Sequence, residues 1–263
     1  MRTSNPVLND NAFDQARNFS VGENMTVQGT VNKTFALFAL MLMTASWVWT
    51  KFYAISQPLI EGIPYDGSPH TPQFVGVAMF GGAIGGFIMA LVTTFKKDWS
   101  PLTAPAYALL EGLFIGGISA FFELQYPGIV IQAVGLTFGT LFALLLVYKS
   151  GLIQVTHKFR MGIAAATGAI MIFYLVVWIA GFFGANLFYD MRWGSSPVGI
   201  GFSLMVVTIA ALNLVLDFDF IERGSQSGVP KYMEWYGAFG LMVTLVWLYI
   251  EILRLLAKLR NRR

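Results

Sequence analysis

The run VGIGFSLMVVTIAALNLVLDFDFIERG, residues 198–224, decides how this chain is read. From Val198 to Leu216 it carries no charged residue, and three acids, Asp217, Asp219 and Glu222, then close it. A bilayer core of roughly 30 Å asks for about 20 apolar residues as helix, and this run supplies them. Acids at the end of such a run are expensive and need a reason. A second apolar run carries another, Glu251, in LYIEILRLL at 248–256.

Working outward, six more runs of the same kind appear, giving seven at about 33–54, 74–95, 104–123, 129–148, 161–184, 198–221 and 232–257. Strands are excluded, because an open sheet edge would leave backbone groups unsatisfied in lipid. The connections carry turn and interface residues, as in SPHTPQ at 68–73, KKDWSP at 96–101, QYPG at 125–128 and RWGSSP at 192–197. The expected architecture is an all-α integral membrane protein. It has a flexible polar tail over 1–32, a single seven-helix membrane domain over 33–258 and a basic tail over 259–263.

Composition agrees. The 263 residues are 56% hydrophobic and 12% charged, with a mean hydropathy of +0.63; soluble domains carry roughly 25% charged residues. The net charge of +3 is better spent on orientation than on nucleic acid, and no basic face interleaved with aromatics argues for nucleic-acid binding. With no cysteine, disulfides, thiolate metal sites and a cysteine nucleophile are excluded. Residues 1–32 lack the apolar segment of a secretory signal.

Glycines mark helix packing. Gly81 and Gly85 share a face, as do Gly82 and Gly86; Gly112 and Gly116, and Gly135 and Gly139, repeat the spacing. Small residues four apart let backbones approach in lipid.

Basic residues give an orientation. A cytoplasmic N-terminus puts Arg2, Arg17, Lys33, Lys96, Lys97, Lys149, Lys158, Arg160, Arg223 and Lys231 inside and only Lys51 and Arg192 outside, before the C-terminal end. Seven crossings then leave Arg254, Lys258, Arg260, Arg262 and Arg263 outside, against the rule. Six spans and a last segment that does not cross would bring them inside, and the sequence leaves that open.

Most acids sit in loops. Glu111, Asp217, Asp219 and Glu251 do not. A charge at mid-span costs on the order of 2.5–3.5 kcal/mol, so such groups face the bundle interior, find partners or take up a proton. Two acids within reach would titrate as a unit. At 1.5 Å per residue, Glu111 lies roughly 12 Å in from the N-terminal side of the membrane and Asp217 roughly 9 Å in from the same side. A last helix starting at 232 puts Glu251 roughly 28 Å in; a start near 241, with 229–240 along the interface, puts it at roughly 15 Å, near Asp217. Simple geometry therefore pairs Asp217 with Glu111, and an interfacial 229–240 pairs it with Glu251. Asp219 falls on a different face, closer to water, as an accessory. His70 and His157 lie in connections apart from the acids, and no HExxH, GxSxG or phosphate loop occurs. No enzyme, cofactor or permanent metal site is expected.

At these residues the chain resembles the Bax inhibitor-1 family, and its bacterial branch in particular, over roughly 25–258. WSPLTAPAYALLEGLFIGGIS at 99–119 resembles the family's entry into the third span, VLDFDFIERG at 215–224 the end of its sixth, and LYIEILRLL at 248–256 its last helix. The resemblance implies a seven-transmembrane-helix bundle with the last helix near the centre. It also implies a pH-sensitive, calcium-permeable leak, gated by a proton-sharing pair on the sixth and seventh helices: Asp217 and Glu251, where family members usually carry two Asp. Calcium or another cation would bind only in weak transit at that pair. The family's basic residue at the cytoplasmic end of the second span finds its nearest match in Lys96 or Lys97. The expected setting is the bacterial plasma membrane, N-terminus cytoplasmic, with lipid as partner. The rivals are a non-transporting membrane regulator of a protease or stress pathway, acting through membrane-protein partners, and a proton-coupled cation exchanger.

Overall fold

The computed structural model describes residues 23–60, 73–183, 191 and 194–262. Seven long helices follow in order: α1 Val27–Ile60, α2 Gln73–Phe95, α3 Ser100–Gln125, α4 Ile129–Lys149, α5 His157–Phe182, α6 Pro197–Gln226 and α7 Met233–Asn261. All seven contain segments long and apolar enough to cross a membrane. Of the expected N-terminal tail, residues 1–22 lie outside the described residues, as does His70 in the first connection. Residues 23–32 are ordered into the fold: α1 begins at Val27, and the Met25 amide donates to the Val229 carbonyl at 2.7 Å.

Local chemistry sets several helix ends. Thr26 Oγ accepts from the Gly29 amide at 2.9 Å, Thr156 Oγ from the Phe159 amide at 3.2 Å and Ser196 Oγ from the Gly199 amide at 3.1 Å. Each satisfies an amide that the first helical turn leaves open. Pro197 follows Ser196, where a missing N–H costs nothing. Between α3 and α4 the chain reverses at Gly128, with φ +80°, a conformation a side chain would resist. The Glu123 carboxylate holds that turn by accepting from the amides of Gly128 and Val130.

The last helix is the axis of the bundle. In its apolar span 67% of residues are buried, against 17% in α4 and in α5. It packs against α1, α3, α4 and α6, and Met233, Tyr236, Phe239, Met242 and Leu248 are fully enclosed. The outer helices turn Phe80, Phe87, Leu102, Ile131, Leu146 and Phe182 outward, as expected of surfaces that meet lipid rather than water. The stretch 233–240 belongs to this axis: it is helical, and Met233, Glu234, Tyr236, Ala238 and Phe239 are buried. It is part of the buried axis rather than a separate surface segment, and the last helix is long and apolar enough to cross a membrane.

The glycine spacing is used on one side of the molecule. A Cβ at Gly82 would stand 2.6 Å from the Leu110 carbonyl oxygen, and one at Gly116 2.7 Å from that of Ala45. These two positions let α2 and α1 close onto α3. Thr44 Oγ adds an interhelical hydrogen bond to the Leu109 carbonyl at 2.9 Å. Gly135 and Gly139 on α4 have nothing within 4 Å of the same position, so their spacing does not pack helices within the chain.

Gly116→Leu is therefore expected to destabilise the fold by about 1–3 kcal/mol through overpacking, read as a lower thermal midpoint in detergent. Gly139→Leu is expected to leave the midpoint unchanged.

Candidate functional site

The acids singled out by the sequence all lie in the bundle interior, but in separate surroundings. Asp217, on α6, is fully buried at 0% exposure, the most enclosed of the four. Glu251, on α7, is 2% exposed. Arg254, one turn along α7, donates to it at 2.9 Å, and the Tyr174 hydroxyl of α5 at 3.2 Å. Arg254 also lies over the Tyr174 ring, 5.5 Å from its centroid. Glu111, on α3, is 8% exposed. It takes a side-chain hydrogen bond from Tyr107, one turn earlier, and faces α2 where Gly86 leaves room: a Cβ there would stand 2.9 Å from Glu111 Oε2.

Helix geometry fixes their levels. The end of α6 and the start of α7 lie on one side of the bundle, joined by residues 227–232. Ser100, at the start of α3, donates to the Tyr232 carbonyl at 2.9 Å, so α3 begins on that side too. Counting from that side at 1.5 Å per residue, Asp217 is roughly 14 Å in, Glu111 roughly 17 Å and Glu251 roughly 27 Å. With α7 continuous from Met233, Glu251 stands about 13 Å deeper than Asp217. The interfacial segment that would have brought them level is absent, and the Glu251 carboxylate is engaged by Arg254 and Tyr174. Glu111 shares Asp217's level, but its contacts run to α2 and to its own helix.

Asp219 is the acid with the clearest partners. It is 8% exposed, less open than its sequence position suggested. Arg160 of α5 stands 3.1 Å from its Oδ2 and Arg223 of α6 2.9 Å. One carboxylate thus ties α5 to α6 between two guanidinium groups, a geometry suited to Arg. The Arg223 half is a local i,i+4 pair; the Arg160 half joins residues 59 apart. Glu222, three residues on, is exposed and accepts from the Tyr148 hydroxyl. Lys96 is exposed at the end of α2. Lys97 lies in the short 3-10 turn before α3, 5.9 Å from the Tyr236 ring centroid; of the two, it is the one set against the α7 axis.

A further buried acid escaped sequence reasoning. Glu234, in the first turn of α7, is 1% exposed. It accepts from the amide and the hydroxyl of Thr26, both at 2.9 Å, and pairs with Lys33. The cation also sits 5.5 Å from the Trp235 ring centroid. The partners are about two hundred residues apart, so no local pattern announces them. Two basic residues near the C-terminus are likewise engaged by the protein. Lys258, 4% exposed, donates to the carbonyls of Met191 at 2.6 Å and Gly199 at 3.0 Å. Arg260 donates to that of Pro127 at 2.7 Å. Among the described residues no group of three or more His, Asp and Glu side chains could hold a metal ion.

Removing one member of a buried ion pair leaves an uncompensated charge and costs about 3–5 kcal/mol. Arg160→Met and Lys33→Met are each expected to lower the thermal midpoint in detergent, whereas Arg262→Gln, an exposed position, is expected to leave it in place.

No curated protein and no solved structure matches the chain. A family model described as Bax inhibitor 1 like matches residues 5–261. That match covers nearly the whole chain, including every helix that carries these acids, and this seven-helix membrane protein belongs to the Bax inhibitor 1 like family.

Proposed function

We propose that the protein is a pH-sensitive cation leak channel, permeable to calcium, in which protonation of buried carboxylates controls passage. The observation that carries the reading is the complete burial of Asp217 in α6, against the central helix of a seven-span bundle. Acids inside membrane spans are rare, and they mark ion and proton pathways. Glu251 and Glu111 supply further oxygens at other depths. Calcium takes six to eight oxygen ligands in a permanent site; single acids at different levels offer weak stations instead, which conduction requires. Proton sharing between Asp217 and Glu251, as the family resemblance implies, needs direct contact, and here the two are about 13 Å apart in depth. The reading favoured by the geometry is two stations in series, with Asp217 in one half of the bundle and Glu251, held by Arg254, in the other.

The same proposal takes the bacterial plasma membrane as the setting, with the N-terminus cytoplasmic. Before the C-terminal end, ten basic residues on that side against two on the other support it. The basic residues near the C-terminus no longer oppose it strongly, since Arg254, Lys258 and Arg260 are engaged by protein partners.

The test is calcium entry into liposomes loaded with a calcium dye, with equal pH on both sides and varied in steps. Calcium entry is expected to change with pH, and Asp217→Asn and Glu251→Gln are each expected to abolish that response. Flux that both variants leave unaltered would overturn the assignment of these acids. Transport that needs a proton gradient rather than a given pH would identify an exchanger, and an absence of flux would point to a regulator that does not transport.

A further inference from the structure

A cavity of about 300 Å³ lies between α1, α3, α4 and α7, at the small end of ligand pockets, which run roughly 300–1,000 Å³. One wall is α1 from Phe38 to Trp49 and the other is α4 from Val130 to Phe138, with Ile115 of α3 and Leu245 of α7 beneath. The cavity is elongated: its α4 wall runs from Val130 to Phe138, about 12 Å of helix. Phe38 and Phe138 meet at 5.9 Å between ring centroids and close the deep end.

The lining is apolar even where its residues are polar. Ser119 Oγ and the Tyr249 hydroxyl hydrogen-bond each other at 2.7 Å, and Thr137 Oγ donates to the Ala133 carbonyl at 2.8 Å. The one other lining hydroxyl, that of Ser46, sits at the exposed edge. Ser46 and Leu42 on the α1 wall are exposed, so the slot opens sideways between two membrane-spanning helices, onto acyl chains.

The shallow end has the opposite character. Val130 is two residues from Gly128, where a Cβ would lie 4.0 Å from Arg260 Nη2. Arg260 uses Nη1 on the Pro127 carbonyl, and a guanidinium has five donors in a fixed fork. The exposed Arg262 follows on the same helix end. The nearby Glu123 carboxylate is turned into the amides of Gly128 and Val130. The shallow end of this apolar slot thus lies close to the Arg260 guanidinium, with the exposed Arg262 two residues further along the chain.

We propose that this groove holds one acyl chain of an anionic phospholipid, with the phosphate met by Arg260 and Arg262. Apolar contact alone does not favour the groove over bulk lipid, because both are hydrocarbon. Shape holds the chain, and the basic rim selects the headgroup, since planar bidentate recognition of phosphate is what Arg does best. This site is separate from the buried acids, and its test does not depend on ion flux.

The test is native mass spectrometry of the full chain, purified in detergent and offered phosphatidylglycerol or phosphatidylcholine of the same chain length. Wild type is expected to retain one phosphatidylglycerol per chain and to prefer it to phosphatidylcholine. Ser46→Trp and Val134→Trp fill the slot from opposite walls and are expected to abolish retention. Because Ser46 is exposed, its variant does not disturb the core, and an unchanged thermal midpoint checks both. Arg260→Gln and Arg262→Gln are each expected to lower the preference for phosphatidylglycerol about fivefold while the slot still admits a chain. Equal retention of the two lipids by wild type, or undiminished retention by both Trp variants, would overturn the proposal.

Discussion

A carboxylate inside a bilayer has to be answered by protein, because no water is present to answer it. That constraint organises this molecule. Glu234 is answered by Thr26 and Lys33, Asp219 by Arg160 and Arg223, and Glu251 by Arg254 and Tyr174. Each answer except the Arg223 and Arg254 contacts crosses from one helix to another. The acids therefore do more than sit in the bundle: they tie α1 to α7, α5 to α6 and α5 to α7. Asn213 adds a neutral link of the same kind, donating to Thr167 Oγ at 2.9 Å between α6 and α5.

The central helix makes this arrangement work. α7 packs against α1, α3, α4 and α6 and also touches α5 through Tyr174, so a polar group on it has protein on most sides. That explains how one helix carries Glu234, Glu251 and Lys258 while each is at most 4% exposed. The outer helices have no such protection. Their lipid-facing surfaces are Phe, Leu and Ile, and α4 presents Gly135 and Gly139 to open space. The glycines that matter are on α2 and α3, where the backbones of neighbouring helices come within contact of the missing side chain.

Function follows the same division. The buried acids occupy different depths and do not form one closed cluster. The apolar slot between α1 and α4 has its shallow end close to Arg260. None of the buried acids lines the slot.

Much of this was legible in the sequence. Seven apolar runs determined the seven helices, because helix is the one way a short apolar segment satisfies its backbone in lipid, though not their ends, which differ by up to six residues, as at Val27–Ile60. The same runs exposed Glu111, Asp217 and Glu251 as misplaced charges, whereas Asp219 reads from the sequence as lying closer to water and its pairing with Arg223 emerged only in the fold. Three short stretches carried the family. Only the tertiary structure decided which acids meet which partners. It showed that 233–240 continues the central helix, which separates Asp217 from Glu251 in depth. It also revealed Glu234 with Lys33 and Asp219 with Arg160, pairs distant in the chain. The physical reason is that insertion cost depends on a residue's immediate chain neighbours, which the sequence displays. Partner choice depends on the rotation and level at which helices pack, and that is set by small residues and core shapes spread over the whole chain.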